Sequence, residues 1–230
     1  MLADDVARPA RPRALLRAAP YLAVLVLSAG LIGATLAIGA RLDLTTSQLM
    51  RDPATSFMAS PFIGFLSQIG IFIWSGTASI ALFAAAAGVG AATRRLRAML
   101  AATGLLTAAL ALDDLFLLHE AVLPMIGVPE LVTYGAYGVA AVVIALTFWR
   151  EALACRPGLL LVAGLFLGGS VALDLLDPSG IDPYLWEDGA KLVGLVAWFV
   201  LHVDVSRHAV RCGAEPCGSR CPTARLAGRR

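Results

Sequence analysis

The sequence predicts an all-α polytopic membrane protein, a bundle of six transmembrane helices with both termini in the cytoplasm. Three observations lead to this prediction: an apolar composition, long runs without charge, and arginine clusters that recur between those runs. Of the 230 residues, 59% are hydrophobic and 15% are charged, whereas soluble domains contain about 45–50% apolar and about 25% charged residues. The composition excludes a disordered protein, a coiled coil and a disulfide scaffold. It also disfavours an ordinary soluble domain, because so few polar side chains cannot cover a soluble globule.

Charge-free runs define four of the spans, and two more spans appear only when charges are allowed inside them. A helix needs about 20 mainly apolar residues to cross the hydrocarbon core. The apolar run before Asp113 is too short to cross, so this span must continue through the acidic residues to Pro124. The last span must likewise begin near Leu185, before Glu187. The predicted spans are 20–40, 67–92, 98–123, 131–149, 157–176 and 185–204.

The distribution of arginine decides how often the long charge-free run between Asp52 and Arg94 crosses the membrane. If it crosses once, all the arginine clusters fall on one side, as the positive-inside rule requires. We therefore predict one helix, preceded by an interfacial piece near Thr55–Leu66 that Pro53 and Pro61 punctuate. The location that we expect is a bacterial inner membrane, which the protein would cross as a multi-pass protein.

The same reasoning divides the chain into three parts. Residues 1–19 form a basic cytoplasmic segment, residues 20–205 form the transmembrane domain, and residues 206–230 form a basic, cysteine-containing cytoplasmic tail that we expect to be disordered. The first span is longer than the apolar core of about 7–15 residues that a signal peptide has, so an uncleaved anchor is favoured. Cleavage, the alternative, would leave five spans.

All four cysteines fall on the predicted cytoplasmic side, where thiols stay reduced. They contain no C-x-x-C pair, so a tail held loosely near anionic lipid is favoured over a zinc site. The cysteines are Cys155, Cys212, Cys217 and Cys221.

Pairs of small residues four apart indicate where helices pack, since lipid supplies no hydrophobic drive for helix association. Gly164 and Gly168 form such a pair, and Gly135 and Gly138 are similar. We interpret these glycines as packing signals.

The most informative residues are the ionisable ones in the third, fifth and sixth spans, which the orientation places in the outer half of the bilayer. A charge at mid-bilayer costs about 2.5–3.5 kcal/mol on insertion scales. These groups must therefore face one another, a water-filled cavity, a cation or a proton. The candidate metal ligands are Asp113, Asp114, His119, Glu120, Asp174, Glu187 and Asp188, with Lys191 as their charge partner.

Helical geometry limits which of these side chains meet. Asp113 and Glu120 lie about 20° apart on a regular helix, whereas His119 lies about 120° from Asp113. Either His119 contacts a different helix, or the helix is distorted there. Glu187 and Lys191 are four residues apart, so they form either a structural ion pair or part of the site.

These residue types favour a cation site. Carboxylates with one imidazole suit zinc, manganese or iron, and carboxylates alone suit magnesium or calcium. A divalent metal ion would activate water for hydrolysis of a lipid-like substrate that enters from the bilayer.

Two other functions stay open, so the sequence does not decide whether the protein is an enzyme. One is a proton- or cation-coupled transporter, in which His202 and Asp204 would have to continue the relay inward. His202 by itself is interpreted as an interfacial residue. The other is a non-catalytic subunit whose acids bind a membrane-protein partner, a second copy of the chain or a lipid headgroup. The basic tail lacks interleaved aromatic residues, so no nucleic-acid partner is predicted.

The strings DDLFLLHE (113–120) and EDGAKLVG (187–194) resemble the paired motifs of an uncharacterised group of bacterial multi-span proteins. This resemblance implies that the two strings belong together. More distantly, Leu112-Asp113-Asp114-Leu115 is similar to the Leu-Asp-Glu-Leu stretch of alkaline ceramidases, which are intramembrane zinc hydrolases. Ala102 stands where that family has a histidine, and the C-terminal region has no H-x-x-x-H, so no catalytic role is carried over.

Overall fold

A computed structural model describes residues 11–87, 94–176 and 182–211, which contain helices and turns but no strand. Six of the described helices are long and apolar enough to cross a membrane. The prediction of an all-α, six-span membrane protein is therefore confirmed. The helices are α1 (Arg11–Leu42), α2 (Thr46–Met50), α3 (Pro53–Ser56), α4 (Phe65–Ala87), α5 (Arg94–Phe116), α6 (Leu123–Met125), α7 (Glu130–Thr147), α8 (Trp149–Cys155), α9 (Pro157–Leu176) and α10 (Pro183–Arg211), with a π-helical turn at Leu118–Val122.

The chain divides into two compact units, residues 1–63 and residues 64–230. The first unit contains the long helix α1 and the short helices α2 and α3. Thr45 caps α2 through a capping box with Gln48, and Asp52 caps α3 by accepting hydrogen bonds from the backbone and hydroxyl of Thr55. These hydrogen bonds lower the pKa of Asp52. The predicted interfacial piece near Thr55–Leu66 corresponds to the end of α3 and the turns after it.

Helices α4, α5, α9 and α10 form the packed part of the second unit. Helix α10 lies along both α9 and α4, and α4 lies along α5. We call the end where α5 begins and α10 finishes the basic end, because Arg94 and Arg211 lie there. Its core is apolar and includes Ala81, Leu100 and Leu201. The opposite end is called the acidic end.

Two glycines allow the close approach of these helices. A Cβ on Gly104 of α5 would lie 2.9 Å from the Leu82 side chain of α4, and one on Gly194 of α10 would lie 2.8 Å from the backbone nitrogen of Leu167 in α9. Gly135, Gly138, Gly164 and Gly168, by contrast, have open space where a Cβ would be. Within the described residues these four do not pack helices together, so that interpretation was wrong for them.

Helix α7 is the loosely held wall of the second unit. Thr133 is its single buried residue. The helix packs on α5, α8 and the π-helical turn, and it has no extended contact with α9. A gap therefore separates α7 from α9.

The third span is shorter than the predicted 98–123, because α5 ends at Phe116. Leu117 then adopts a left-handed conformation with a φ of 50°, which is unfavourable for a residue with a Cβ. The π-helical turn follows at once. Of the two alternatives for His119, the distorted helix is the one found. The last span continues to Arg211, past its predicted end at 204, and the other spans lie within a few residues of their predicted bounds where the structure describes them.

Cys155, the one cysteine in the described part of the chain, is disulfide-bonded. The expectation that it would be reduced was therefore wrong. That expectation rested on the compartment alone, whereas the fold places the end of α8 close to α10, which leads into the tail: Arg156 hydrogen-bonds Asp204 of α10 at 2.9 Å. Cys212, Cys217 and Cys221 lie outside the described residues, as do Asp177 and most of the segments 1–19 and 206–230.

The contact at Gly194 gives a prediction about stability. Gly194→Ala should lower the free energy of unfolding by about 1–3 kcal/mol, because the added methyl group meets the backbone of α9. Gly189→Ala, on the same helix, should be neutral or stabilising, since a Cβ there meets nothing and alanine favours the helix. Thermal unfolding in detergent measures both effects, and equal unfolding temperatures would contradict the close approach.

Candidate functional site

A cavity of about 470 Å³ lies between α4, α5, α7, α9 and α10 in the second unit. It brings together all the predicted site residues except Asp188, which does not line it. The acidic residues lie at one end of the cavity, because each helix presents them near the acidic end of the bundle. The ionisable residues that line it are Asp113, Asp114, His119, Glu120, Asp174, Glu187 and Lys191.

Asp113 and His119 form a buried pair within one distorted segment. The Oδ2 atom of Asp113 contacts the Nδ1 atom of His119, and the two residues are 3% and 6% exposed. Six residues separate them, so a regular helix would turn them far apart. The left-handed Leu117 and the π-helical turn redirect the chain so that the imidazole returns to the carboxylate.

This contact fixes the orientation of the imidazole. A carboxylate only accepts hydrogen bonds, so Nδ1 of His119 carries the proton and Nε2 holds the lone pair when the ring is neutral. Nε2 lies 3.4 Å from Oε1 of Glu120. The Tyr134 ring packs beside the imidazole, with centroids 5.0 Å apart. Two acceptor atoms therefore face each other at the cavity wall.

Asp113 keeps a second oxygen without a partner. Its Oδ1 is buried and makes no hydrogen bond, although Tyr137 lines the cavity close to this carboxylate. Buried oxygen atoms without a partner are uncommon in native structures and call for a water, an ion or a functional reason.

Asp114 is held by two other helices. Its Oδ1 accepts a hydrogen bond from Nζ of Lys191 in α10 at 2.9 Å, and its Oδ2 accepts one from Nε1 of Trp74 in α4 at 3.1 Å. Lys191 thus pairs across helices with Asp114, and no ion pair forms with Glu187. The first string of the sequence, 113–120, and the second, 187–194, meet through this ion pair.

The third acidic group belongs to α9. Asp174 accepts a hydrogen bond from the hydroxyl of Tyr134 at 2.6 Å, which links α9 to α7 at the acidic end. Sequence reasoning missed Trp74, Tyr134 and Tyr137 as site residues. The signal for the tyrosines was their spacing of three residues, which puts both on the face of α7 that carries Gly138.

A column of polar side chains continues from the cavity toward the basic end, between α5 and α10. Trp198 Nε1 donates to Thr107 Oγ1 at 3.0 Å, and His202 Nε2 lies 3.0 Å from Thr103 Oγ1. His202 is 4% exposed. His202 is therefore buried inside the bundle, which its position near the end of the predicted span did not indicate.

No group of three or more His, Cys, Asp or Glu side chains is arranged to hold a metal ion in the parts of the chain that the structure describes. Two of the predicted ligands are engaged by other side chains, Asp113 by His119 and Asp114 by Lys191. Among the described residues that line the cavity, Asp174 and Glu187 take part in no ion pair, and Glu120 meets only Nε2 of His119.

The ion pair across α5 and α10 gives a second prediction. Lys191→Met should destabilise the protein, because it leaves Asp114 without its counter-charge. Breaking a fully buried pair costs about 3–5 kcal/mol, and we expect less here since the Lys191 side chain is 28% exposed. The double variant Asp114→Asn/Lys191→Met should recover most of the loss in thermal unfolding, as a double-mutant cycle would report.

Glu187→Gln is the matched control for that cycle. It should leave stability nearly unchanged, because Glu187 does not share the Lys191 ion pair. Coupling of Lys191 with Glu187 as large as that with Asp114 would instead support a pair within α10.

Comparison with known proteins finds a family match. A family model described as a domain of unknown function, DUF8692, matches residues 19–205. No curated protein and no solved structure matches the chain. The matched range begins just before the first span and ends within α10, so it contains all the residues of the cavity. The chain therefore belongs to the DUF8692 family.

Proposed function

We propose that the protein binds a divalent metal ion at the acidic end of its cavity and that the ion serves the hydrolysis of a lipid-like molecule. One observation carries the proposal: Nε2 of His119 and Oε1 of Glu120 face each other at 3.4 Å. Both are acceptors when the imidazole is neutral. A cation between them removes the repulsion, and a proton is the simplest alternative.

The separation of these two atoms suits a metal ion. Zinc binds imidazole nitrogen at about 2.0–2.1 Å and carboxylate oxygen at about 2.0–2.2 Å in a tetrahedral arrangement. Two such ligands lie about 3.4 Å apart, which is the length of the edge of that tetrahedron. Glu187 and Asp174 line the same cavity and would supply further oxygen ligands after side-chain rotation.

The contact between His119 and Asp113 supports the same proposal. Histidines that bind metal ions almost always donate their other ring N–H to a carboxylate or carbonyl, which fixes the tautomer and makes the ring a stronger ligand. Asp113 has this position relative to His119. It is therefore assigned as a positioning residue, with His119 and Glu120 as ligands.

Hydrolysis requires a nucleophile and a positive charge that stabilises the negative charge developing in the transition state. A bound divalent ion would lower the pKa of a coordinated water and polarise a carbonyl group. The side chain of Glu120 is 57% exposed, so an ion held by it would stay accessible to water. Lys191 and Tyr134 are further donors at the same end.

The cellular location is part of the proposal. We assign the protein to a bacterial inner membrane, with the basic end of the bundle in the cytoplasm. Arg95 contacts Glu151 and the carbonyl of Thr147, and Arg156 contacts Asp204. These contacts hold the arginines that follow α4 and α8 at one end, which is the distribution that the positive-inside rule requires.

Metal binding is tested on detergent-purified protein. We expect a divalent metal to co-purify, or added Zn²⁺, Mn²⁺, Fe²⁺, Mg²⁺ or Ca²⁺ to raise the unfolding temperature. His119→Gln should abolish the effect, since it removes the nitrogen ligand. Asp113→Asn should weaken metal affinity by about 10–100-fold, as loss of an outer carboxylate typically does.

Asp188→Asn is the matched control, because this acid neighbours Glu187 in the chain and lies outside the cavity lining. It should retain the metal response. If none of these ions co-purifies or changes the unfolding temperature, the metal proposal is overturned.

Proton-coupled transport is the second candidate, and the polar column between α5 and α10 favours it. His202 and Thr103 extend the hydrogen-bonding groups from the cavity toward the basic end, and the hydroxyl of Ser206 continues this face of α10 without a partner. Such chains serve as proton relays in pumps and carriers.

The transport candidate predicts a proton flux in liposomes when a potassium gradient with valinomycin sets the membrane potential. A pH-sensitive dye inside the vesicles reports the flux. His202→Gln and Asp113→Asn should abolish it, whereas Asp188→Asn should not. A flux no greater than in protein-free liposomes would exclude this candidate.

A further inference from the structure

The cavity has a second, apolar part that is not lined by the ionisable residues. One face of α9 forms its wall, through Leu160, Gly164, Leu167 and Val171, and the same face ends in Asp174. Along α9 this distance is about 21 Å at 1.5 Å per residue. The cavity is therefore polar at one end and apolar over most of its length.

Helices α5 and α10 also carry apolar lining residues toward the basic end and ionisable ones toward the acidic end. On α5, Leu106 and Leu110 precede the acids, and on α10 Trp198 lies well beyond Lys191. All these apolar side chains are on the side toward the basic end. We call this region the apolar arm of the cavity.

The apolar arm is open toward the side of the bundle. Gly138 and Ala141 of α7 face it from one wall and Gly164 and Gly168 of α9 from the other, and all four are exposed. A Cβ on any of the three glycines would meet nothing within 4 Å. Because α7 and α9 have no extended contact, this opening lies between two helices that are each long and apolar enough to cross a membrane.

We infer that the cavity binds a single-chain amphiphile with a cationic or hydrogen-bonding headgroup, which enters from the bilayer between α7 and α9. This inference rests on the proposed function for the lipid-like nature of the ligand, and it names the class. The hydrocarbon chain lies in the apolar arm, where it replaces lipid contacts. The headgroup lies at the acidic end, where five carboxylates face a single lysine.

The arrangement disfavours an anionic headgroup. Asp174 and Glu187 take part in no ion pair and Glu120 meets only Nε2 of His119, so in the metal-free protein a carboxylate or phosphate headgroup would be repelled by these acids. An ammonium group would instead lie among acceptors. A long-chain amine is charged at neutral pH, because amines of the lysine type titrate at about 10.4.

The test uses tryptophan fluorescence in phosphatidylcholine nanodiscs. The variant Trp149→Phe/Trp186→Phe keeps Trp74 and Trp198, both of which line the cavity, as the remaining two of the four tryptophans. The probe is hexadecylamine brominated near the chain end, and metal ions are first removed with a chelator. We expect saturable quenching by the amine and at least about tenfold weaker apparent affinity for the equally brominated hexadecanoic acid.

Substitutions in the arm provide matched controls. Gly168→Leu fills the arm and should weaken the apparent affinity for the amine by about tenfold or more. Gly169→Leu adds the same side chain one residue away, outside the cavity lining, and should leave quenching unchanged. Ala141→Leu fills the arm from α7 and covers the case in which Gly168→Leu does not fold.

Each outcome bears on the inference. Quenching that is unsaturable, or equal in the arm variants and Gly169→Leu, reflects partition into the bilayer and overturns it. Equal affinity for amine and acid overturns the headgroup assignment. Because the measurement is made without metal, saturable quenching in a protein that fails to bind metal would retain the amphiphile site and reject only the ion-dependent hydrolysis.

Discussion

Charged groups inside a low-dielectric bundle must be compensated, and this constraint governs the second unit of the protein. An isolated carboxylate in an apolar environment is so costly that it pairs, binds a proton or meets a cation. Asp114 meets Lys191 and Trp74, and Asp113 meets His119. These contacts tie α5 to α4 and α10 at one end of the bundle. They also explain why α5 gives up regular helical geometry at Leu117: the cost of one left-handed residue, of order 1–3 kcal/mol, is smaller than that of leaving the buried acid alone.

The packing of the helices is asymmetric, and the cavity follows from the asymmetry. On one side, Gly104 lets α5 approach the side chains of α4, and Gly194 lets α10 approach the backbone of α9. On the other side, α7 is anchored mainly at its ends, by the contact of Tyr134 with Asp174 and by the neighbourhood of Arg95. Between those ends, small residues face an open gap. The same residue type therefore closes the bundle in one place and opens it in another.

Several features of the site were predictable from the sequence, for a thermodynamic reason. Exposing an ionisable residue of a span to lipid is costly. The convergence of these residues on one cavity therefore follows once the spans and their directions are known. The pairing among them was not predictable. Glu187 and Lys191 have the spacing of a helical ion pair, yet Lys191 reaches across to Asp114, because the packing of α10 on α4 and α5 brings that carboxylate nearer. His202, expected near the interface, is buried because α10 continues to Arg211, well past the predicted end of the span.

By itself, the sequence determined the class of the protein, the number of spans and the set of acids that had to meet. These properties depend on composition and on the cost of placing charge in lipid, which are independent of detailed packing. Only the tertiary structure decided how His119 is oriented, which acid holds Lys191, and that the glycines of α7 and α9 line a cavity. These depend on backbone geometry at Leu117 and on distances between helices, which spacing along the chain does not encode. The acidic residues identified in the sequence thus line one end of a cavity. The apolar arm of this cavity is formed only by the folded chain.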